Sequence, residues 1–275
     1  MKLAVLLTCY NRKEKTLNCI KKLLPQLERL NLEYKIYICD DKSTDGSYEA
    51  LKELIPGHVV FQSTGNFYWS RGMCEVMLKA MEDSCDYYLM VNDDVDFFDD
   101  ALEVMFSSYH KAGKNCGIVG STVSKMDGRL TYGGRKGQND SEPISPKEPL
   151  QTCEYTNWNC FLIDKHVVEK VGCIDGKYQH GFGDYDYSLR MRKKNILIYV
   201  AKAIVGYCEK NSSKGTFYDD SLTRKQRIKC LFGPKGAPIY SYFRYHIKNE
   251  GIKKLPACIY GYGCYIVAIL LRRQV

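Results

Sequence analysis

The chain has 275 residues, 45% hydrophobic and 26% charged, values that place it among globular proteins as one large domain or two small ones. Its thirteen cysteines are odd in number, form no CxxC pair and partly sit inside apolar stretches (Cys9, Cys39, Cys160); this argues against a disulfide framework or zinc site and for buried thiols in a reducing compartment. Residues 190–275 hold 18 Lys or Arg against 4 Asp or Glu, a net of +14, while residues 1–189 net −6, together the +8 of the whole chain.

In chain order, Lys2 to Thr8 predicts a buried strand and Cys9 to Arg12 a loop. From Lys13 to Leu30, apolar residues at Leu17, Ile20, Leu23, Leu24, Leu27 and Leu30 form a helical stripe. Tyr34 to Cys39 predicts a second strand, stopped by the polar run Asp40 to Ser47. There Asp45 or Ser47 caps a helix reaching Leu54. Val59 to Gln62 predicts a third strand, and Ser70 or Arg71 opens a helix to Ser84. Tyr87 to Val91 predicts a fourth strand, Ala101 to Ala112 a helix and Cys116 to Thr122 a fifth strand. Asp127 to Pro149 is rich in Gly and Pro and predicts a mobile loop or hairpin. Strand returns at Thr156 to Ile163, helix at Asp164 to Val171 and Tyr185 to Lys194, and strand at Ile196 to Val200.

This alternation over short connections predicts an α/β fold: a mostly parallel, Rossmann-like sheet flanked by helices. The polar loops after the first four strands then share one edge: Tyr10 to Arg12, Asp40 and Asp41, Gly65 and Asn66, Asp93 and Asp94. Four such loops in one topological position predict a nucleotide pocket. The N-terminal apolar run is too short for a signal peptide.

The most telling stretch is Tyr87 to Asp100, YYLMVNDDVDFFDD. An apolar strand stops at a cluster of carboxylates, which repel one another unless one is protonated or a cation neutralises them. Mg²⁺ or Mn²⁺ is the natural partner, since each takes one or two carboxylates plus substrate phosphates. A solvated acidic turn capping the next helix is the simpler alternative.

Thr8-Cys9-Tyr10-Asn11-Arg12, Asp40-Asp41-Lys42-Ser43-Thr44-Asp45-Gly46, Asn92-Asp93-Asp94, and Val171 to Asp175 followed by Gly183 to Arg190 occur in this order. Together they resemble the family 2 glycosyltransferases, whose fold is the GT-A fold, and most closely bacterial members that build surface polysaccharides. The resemblance covers roughly residues 1–210. It implies a glycosyltransferase domain there, with a nucleotide-binding half over 1–122 and an acceptor half over 123–210. A helical, basic C-terminal extension follows over 211–275.

The resemblance implies an inverting, metal-dependent transfer from a nucleotide-diphosphate sugar of UDP or dTDP type to a surface glycan or lipid-linked acceptor. Asp184 stands where the family places its catalytic base; a helix cap is the alternative. Asp94 is the surest metal ligand, and Asp96 forms a D-x-D with it. Cys208 replaces the family's histidine and is a poor Mg²⁺ ligand, so His246 is the candidate third ligand. Asp40 or Asp41 accepts the base imide N–H, with Asp41 also supporting the ribose; a helix-capping Asx turn is the alternative, and the two are compatible. Thr8, Tyr10 and Arg12 line the base side, with Tyr10 stacking on the base or packing in the core. Asn66 and Arg71 approach ribose and phosphates, Asp93 completes the donor site, and Trp158 stacks on a sugar or packs inside. Two departures stand out: Asn92 replaces the first Asp of the metal motif, and Gly183 replaces a Glu.

A sugar nucleotidyltransferase and a non-catalytic carbohydrate or nucleic-acid binder are the alternatives. The first lacks its Gly-rich loop in Cys9 to Lys15, and acidic loops facing one cleft argue against nucleic acid. Leu255 to Leu271 is uncharged and flanked by Lys253, Lys254, Arg272 and Arg273. As a helix it is about 26 Å long, short of the roughly 30 Å hydrocarbon core. It is expected to lie in the interface of an anionic membrane, making the protein cytoplasmic and peripheral. A helix packed on the domain is the alternative.

Overall fold

The computed structural model describes residues 1–137 and 142–271. The first part alternates β1 (Lys2–Cys9), α1 (Lys13–Arg29), β2 (Glu33–Asp40), α2 (Ser47–Leu54), β3 (Val59–Gln62), α3 (Tyr68–Glu82) and β4 (Tyr87–Val91). It continues with β5 (Asp96–Phe97), α4 (Ala101–Ala112), β6 (Gly117–Val123), β7 (Leu130–Tyr132) and β8 (Gly134–Arg135). Then come β9 (Thr152–Cys153), β10 (Tyr155–Thr156), β11 (Cys160–Asp164), α5 (Lys165–Val171), α6 (Gly183–Lys193) and β12 (Ile198–Tyr207). Three helices close the chain: α7 (Arg224–Phe232), α8 (Ile239–Glu250) and α9 (Leu255–Leu270).

The main sheet runs β3-β2-β1-β4-β11-β6-β12-β5. β1 to β4 are parallel to one another, and β12 is parallel to β6. β11 inserts antiparallel between β4 and β6. β11 therefore begins where β4 ends, and the Asn157–Asn159 loop opens at the same edge as the acidic turn. β6 and β12 end at that edge too, so polar residues from distant segments share one rim.

Strands buried on both faces read as continuous apolar runs rather than alternations. β1 shows this: Leu3, Val5 and Leu7 join the cluster under α1 and α4, with Cys19, Ile20, Leu23 and Met105. Ala4 and Leu6 join the opposite cluster under α3, α5 and α6, with Met73, Met77, Val167 and Met191.

Two regions differ from expectation. The strand expected over Ile196 to Val200 runs on to Tyr207, because pairing with β6 and β5 carries it through Ala201, Lys202 and Ala203; tertiary pairing overrides weak strand propensity. Of the loop expected to be mobile, Leu130–Tyr132 pairs with β6 and Gly134–Arg135 with β10, so its first part is fixed; residues 138–141 lie outside the described residues.

The last three helices bury their own apolar cluster around Phe217, Leu231, Tyr262 and Ile269. Polar bonds from α8 tie them to the sheet domain. Arg244 and Lys248 reach Asp175 at 2.6 and 2.8 Å, and Lys248 and Asn249 reach the fully buried Asp186 at 2.9 and 3.0 Å. No described helix is long and apolar enough to cross a membrane.

Candidate functional site

The rim is first a hydrogen-bonded frame. Buried Asp40 accepts Ser43 N–H at 3.2 Å and Gln62 Nε2 at 2.9 Å, along with the Ser43 hydroxyl. Asp41 accepts the Phe67 and Tyr68 amides at 2.9 Å each, plus Ser63 Oγ. Both carboxylates take internal donors that shape the loops after β2 and β3, and Asp41 Oδ2, with the Tyr68 amide alone, keeps acceptor capacity for a further N–H. Asp45 accepts Lys13 N–H at 2.9 Å and Ser47 N–H at 3.1 Å, capping α1 and α2 together.

At the end of β4, Arg12 Nη1 lies 3.1 Å from Asp93 Oδ1 and 3.0 Å from Asp94 Oδ2. Arg12 was expected on the base side; the loop after β1 instead turns it onto the acidic pair. Burial pushes the Asp93 carboxyl up to about 6 against the pull of Arg12. Asn92 accepts Trp69 Nε1 at 2.8 Å. Burial keeps Cys208 a neutral thiol, which donates to Asp94 at 3.5 Å and accepts Asn159 Nδ2 at 3.3 Å.

Asp93 and Asp94 suit a hard cation that brings phosphate ligands of its own. The other expected ligands are not brought to them. Asp96 points to Asn18, 3.1 Å away, and to Lys125, because β5 pairs with β12 and turns its side chain outward. His246 sits on α8 with Nδ1 bonded to Glu250 at 2.8 Å, one helical turn on. Among the described residues no three His, Cys, Asp or Glu side chains form a metal cluster.

Asp184 stands in the first turn of α6. Burial pushes its carboxyl up to about 6, opposed by bonds from its own and the Tyr185 N–H groups, the Asn157 side chain and the Trp158 N–H. Just before it, Phe182 takes a left-handed φ of 73°. For a bulky residue that costs energy and persists only where packing enforces it. Its ring stacks on Tyr245 of α8 with centroids 5.1 Å apart. Gly183 explains the missing Glu: a Cβ there would lie 2.7 Å from Ser70 Oγ and 3.0 Å from Ile174 Cδ1. The signal for the Phe182–Tyr245 contact lay in the aromatic run of α8, which has no motif.

The remaining candidates divide. Tyr10 is 57% exposed and free to stack. Thr8 is buried against Gly72, where a Cβ would come within 2.9 Å. Asn66 sits on an exposed turn with φ 67°. Arg71 lies 4.1 Å over the Phe67 ring and is half exposed. Of the two places expected for Trp158, it takes the core: it is 1% exposed, packed against Trp69, Phe161 and Tyr187, and does not offer its face to a sugar. His180 is held down to about 4 by burial, with Lys235 and Arg12 adding positive charge, so it is neutral at pH 7. Arg190 bonds the buried Asp186 at 2.9 Å, while Arg192 pairs with Glu154 at 2.8 Å on the exposed face of α6.

The glycosyl transferase family 2 model matches residues 4–172, more than half of the chain. Among solved structures, GalNAc-T7 with UDP, GalNAc and Mn²⁺ aligns with 98% of this chain at TM-score 0.58 and 13% identity. The chain spans 56% of that protein's length. Mannosyltransferase PcManGT from Pyrobaculum calidifontis, in complex with GDP-Man and Mn²⁺, aligns with 99% of this chain and 76% of its own, at TM-score 0.51 and 13% identity. At that identity the likeness carries the fold. No curated protein matches the chain. The family match and the shared fold lead to one conclusion: the chain belongs to glycosyl transferase family 2 and has the GT-A fold.

Proposed function

We propose that the protein transfers a sugar, with inversion, from a UDP- or dTDP-type nucleotide sugar to a growing surface glycan or lipid-linked acceptor. The observation that carries this reading is the shared rim. Asp93 and Asp94 lie at the end of β4, and Asp184, with a carboxyl near 6, stands beside the Asn157–Trp158 turn that opens at the same edge. The nucleotide base would lie by Tyr10, over the loops framed by Asp40 and Asp41.

Asp93 and Asp94 would hold Mg²⁺ or Mn²⁺, which when bound neutralises the leaving diphosphate. Arg12 is a forked donor at the same place, suited to a diphosphate oxygen. Asp184 takes the proton of the acceptor hydroxyl as that oxygen attacks the anomeric carbon opposite the diphosphate. One displacement on that face inverts the configuration. The donors from Asn157 and Trp158 hold the carboxylate in place. A carboxyl near 6 is ionised at pH 7 yet more basic than an ordinary Asp, as a general base requires.

The C-terminal helix α9 would serve a membrane-held acceptor. Ile259, Tyr260, Val267 and Leu270 are exposed on one face, while Cys258, Tyr262 and Ile269 pack on the opposite one. Lys253 and Lys254 precede that face; Arg272 and Arg273 lie outside the described residues. We assign the face to an anionic phospholipid surface, which would hold a lipid-linked acceptor.

A panel of nucleotide sugars, assayed for released nucleotide diphosphate with and without Mn²⁺, tests the reading. Release of UDP or dTDP only with the metal is the expected result. Release of pyrophosphate, or no release from any donor, contradicts it.

A further inference from the structure

Four of the thirteen cysteines are not buried, and two of these four lie together. Cys74 on α3 and Cys173, in the turn between α5 and α6, have their Sγ atoms 3.5 Å apart across 99 residues of sequence. Neither is fully buried. The turn lies close over α3 because residue 176 is glycine: a Cβ there would come 3.0 Å from Cys74 Cβ and 3.1 Å from its Sγ. Other bonds hold the turn in that place. Ser70 N–H donates to Gln179 O at 3.0 Å, and Arg190 Nη2 donates to Cys173 O at 3.0 Å. The thiols thus meet because both backbones are fixed, and a bond between them needs the sulfurs to close by about 1.5 Å, toward the roughly 2.05 Å of a disulfide.

We propose that Cys74 and Cys173 are a redox modification site: a vicinal dithiol in the resting enzyme that closes to a disulfide when it meets a low-molecular-weight disulfide such as oxidised glutathione. The hydrogen bond from Cys173 and the Gly176 N–H lower the Cys74 pKa, while Cys173 is raised, so Cys74 is the attacking thiolate. Its sulfur attacks one sulfur of the oxidant; that S–S bond breaks and one glutathione thiolate leaves. Cys173 gives up its proton to that thiolate, and its sulfur attacks Cys74 Sγ and expels the second glutathione. Two protein thiols are oxidised and one glutathione disulfide is reduced to two thiols. The new bond ties α3, which carries Trp69 and Ser70, to the turn that leads into Phe182 and Asp184.

The test is peptide mapping by mass spectrometry of the full chain, incubated under native conditions with oxidised glutathione and then alkylated. The expected product is a Cys74–Cys173 cross-linked peptide lacking two hydrogens, absent after dithiothreitol. The oxidised protein should also melt at a higher temperature than the reduced one. In Cys173→Ser, Cys74 should instead remain a glutathione mixed disulfide. The proposal is overturned if wild-type Cys74 stays as a stable mixed disulfide, or if both thiols alkylate freely while exposed Cys264 is oxidised. The readout needs no substrate, so it stands or falls apart from the transfer reaction.

Discussion

Asp184 is the residue on which chemistry and stability pull in opposite directions. Its folded carboxyl is near 6, against about 3.9 in an unfolded chain. The folded state therefore binds the proton more tightly, so Asp184 weakens the fold as pH rises from about 4 to 6. Asp184→Asn, which keeps the shape and removes the charge, is predicted to stabilise the protein by about 1–3 kcal/mol at pH 7.5. That gain should vanish below about pH 4; thermal melts at the two pH values measure it. Turnover should fall by roughly 10²–10⁴ while donor binding is kept. In the wild type, kcat should fall as pH drops through about 6. A variant that turns over normally, or loses donor binding as well, assigns Asp184 a structural role. The position of this residue was legible from its segment. The direction in which Arg12, Asp96 and His246 point was not, because it depends on which strand or helix turn lies alongside: β12 turns Asp96 outward, and Glu250 holds His246.

At the scale of elements, α8 is the joint between the C-terminal helices and the transferase sheet. Asp175 is partly buried, which raises its pKa, yet hydrogen bonds from Lys248 and Arg244 hold it down to about 2. A depressed carboxyl adds stability that is present above about pH 4 and is lost as pH falls toward 2. Asp175→Ala is predicted to cost about 1–3 kcal/mol, since it leaves two partly buried cations short of a partner. It should also speed amide hydrogen exchange in α8 and in the Phe182 turn. Unchanged exchange there would mean that the apolar contacts of α8 suffice. The sequence foretold helices and positive charge in this region. It did not foretell that Arg244 and Lys248 face Asp175 rather than an external anion, since a charge count carries no direction. The strands of the parallel half were legible because each is a short apolar run ended by turn residues. Of β12 only the start was legible, because Ala201 to Ala203 has no such pattern.

Across the whole molecule, a positive C-terminal part and one exposed apolar helix face point the same way. The predicted consequence is flotation with vesicles of anionic lipid at low salt, and much less in high salt or with neutral lipid. Tyr260→Glu together with Val267→Glu should leave the protein folded but at the bottom of the gradient. Wild type that stays at the bottom under all conditions removes the membrane from the account. The α/β fold and the shared rim were readable from the order of strands and loops. The antiparallel β11 was not, because strand direction is set by partners and leaves no mark in composition.

Transfer at this rim requires a nucleotide diphosphate held with a divalent cation at Asp93 and Asp94, and titration calorimetry of UDP and dTDP measures this directly. With Mn²⁺ present, wild type and Asp184→Asn are predicted to bind one of the two nucleotides with like affinity. Asp94→Ala, or wild type with chelator, should bind at least about tenfold more weakly, a difference of about 1.4 kcal/mol. Equal affinity in all four samples, or none in the wild type with Mn²⁺, would contradict the account.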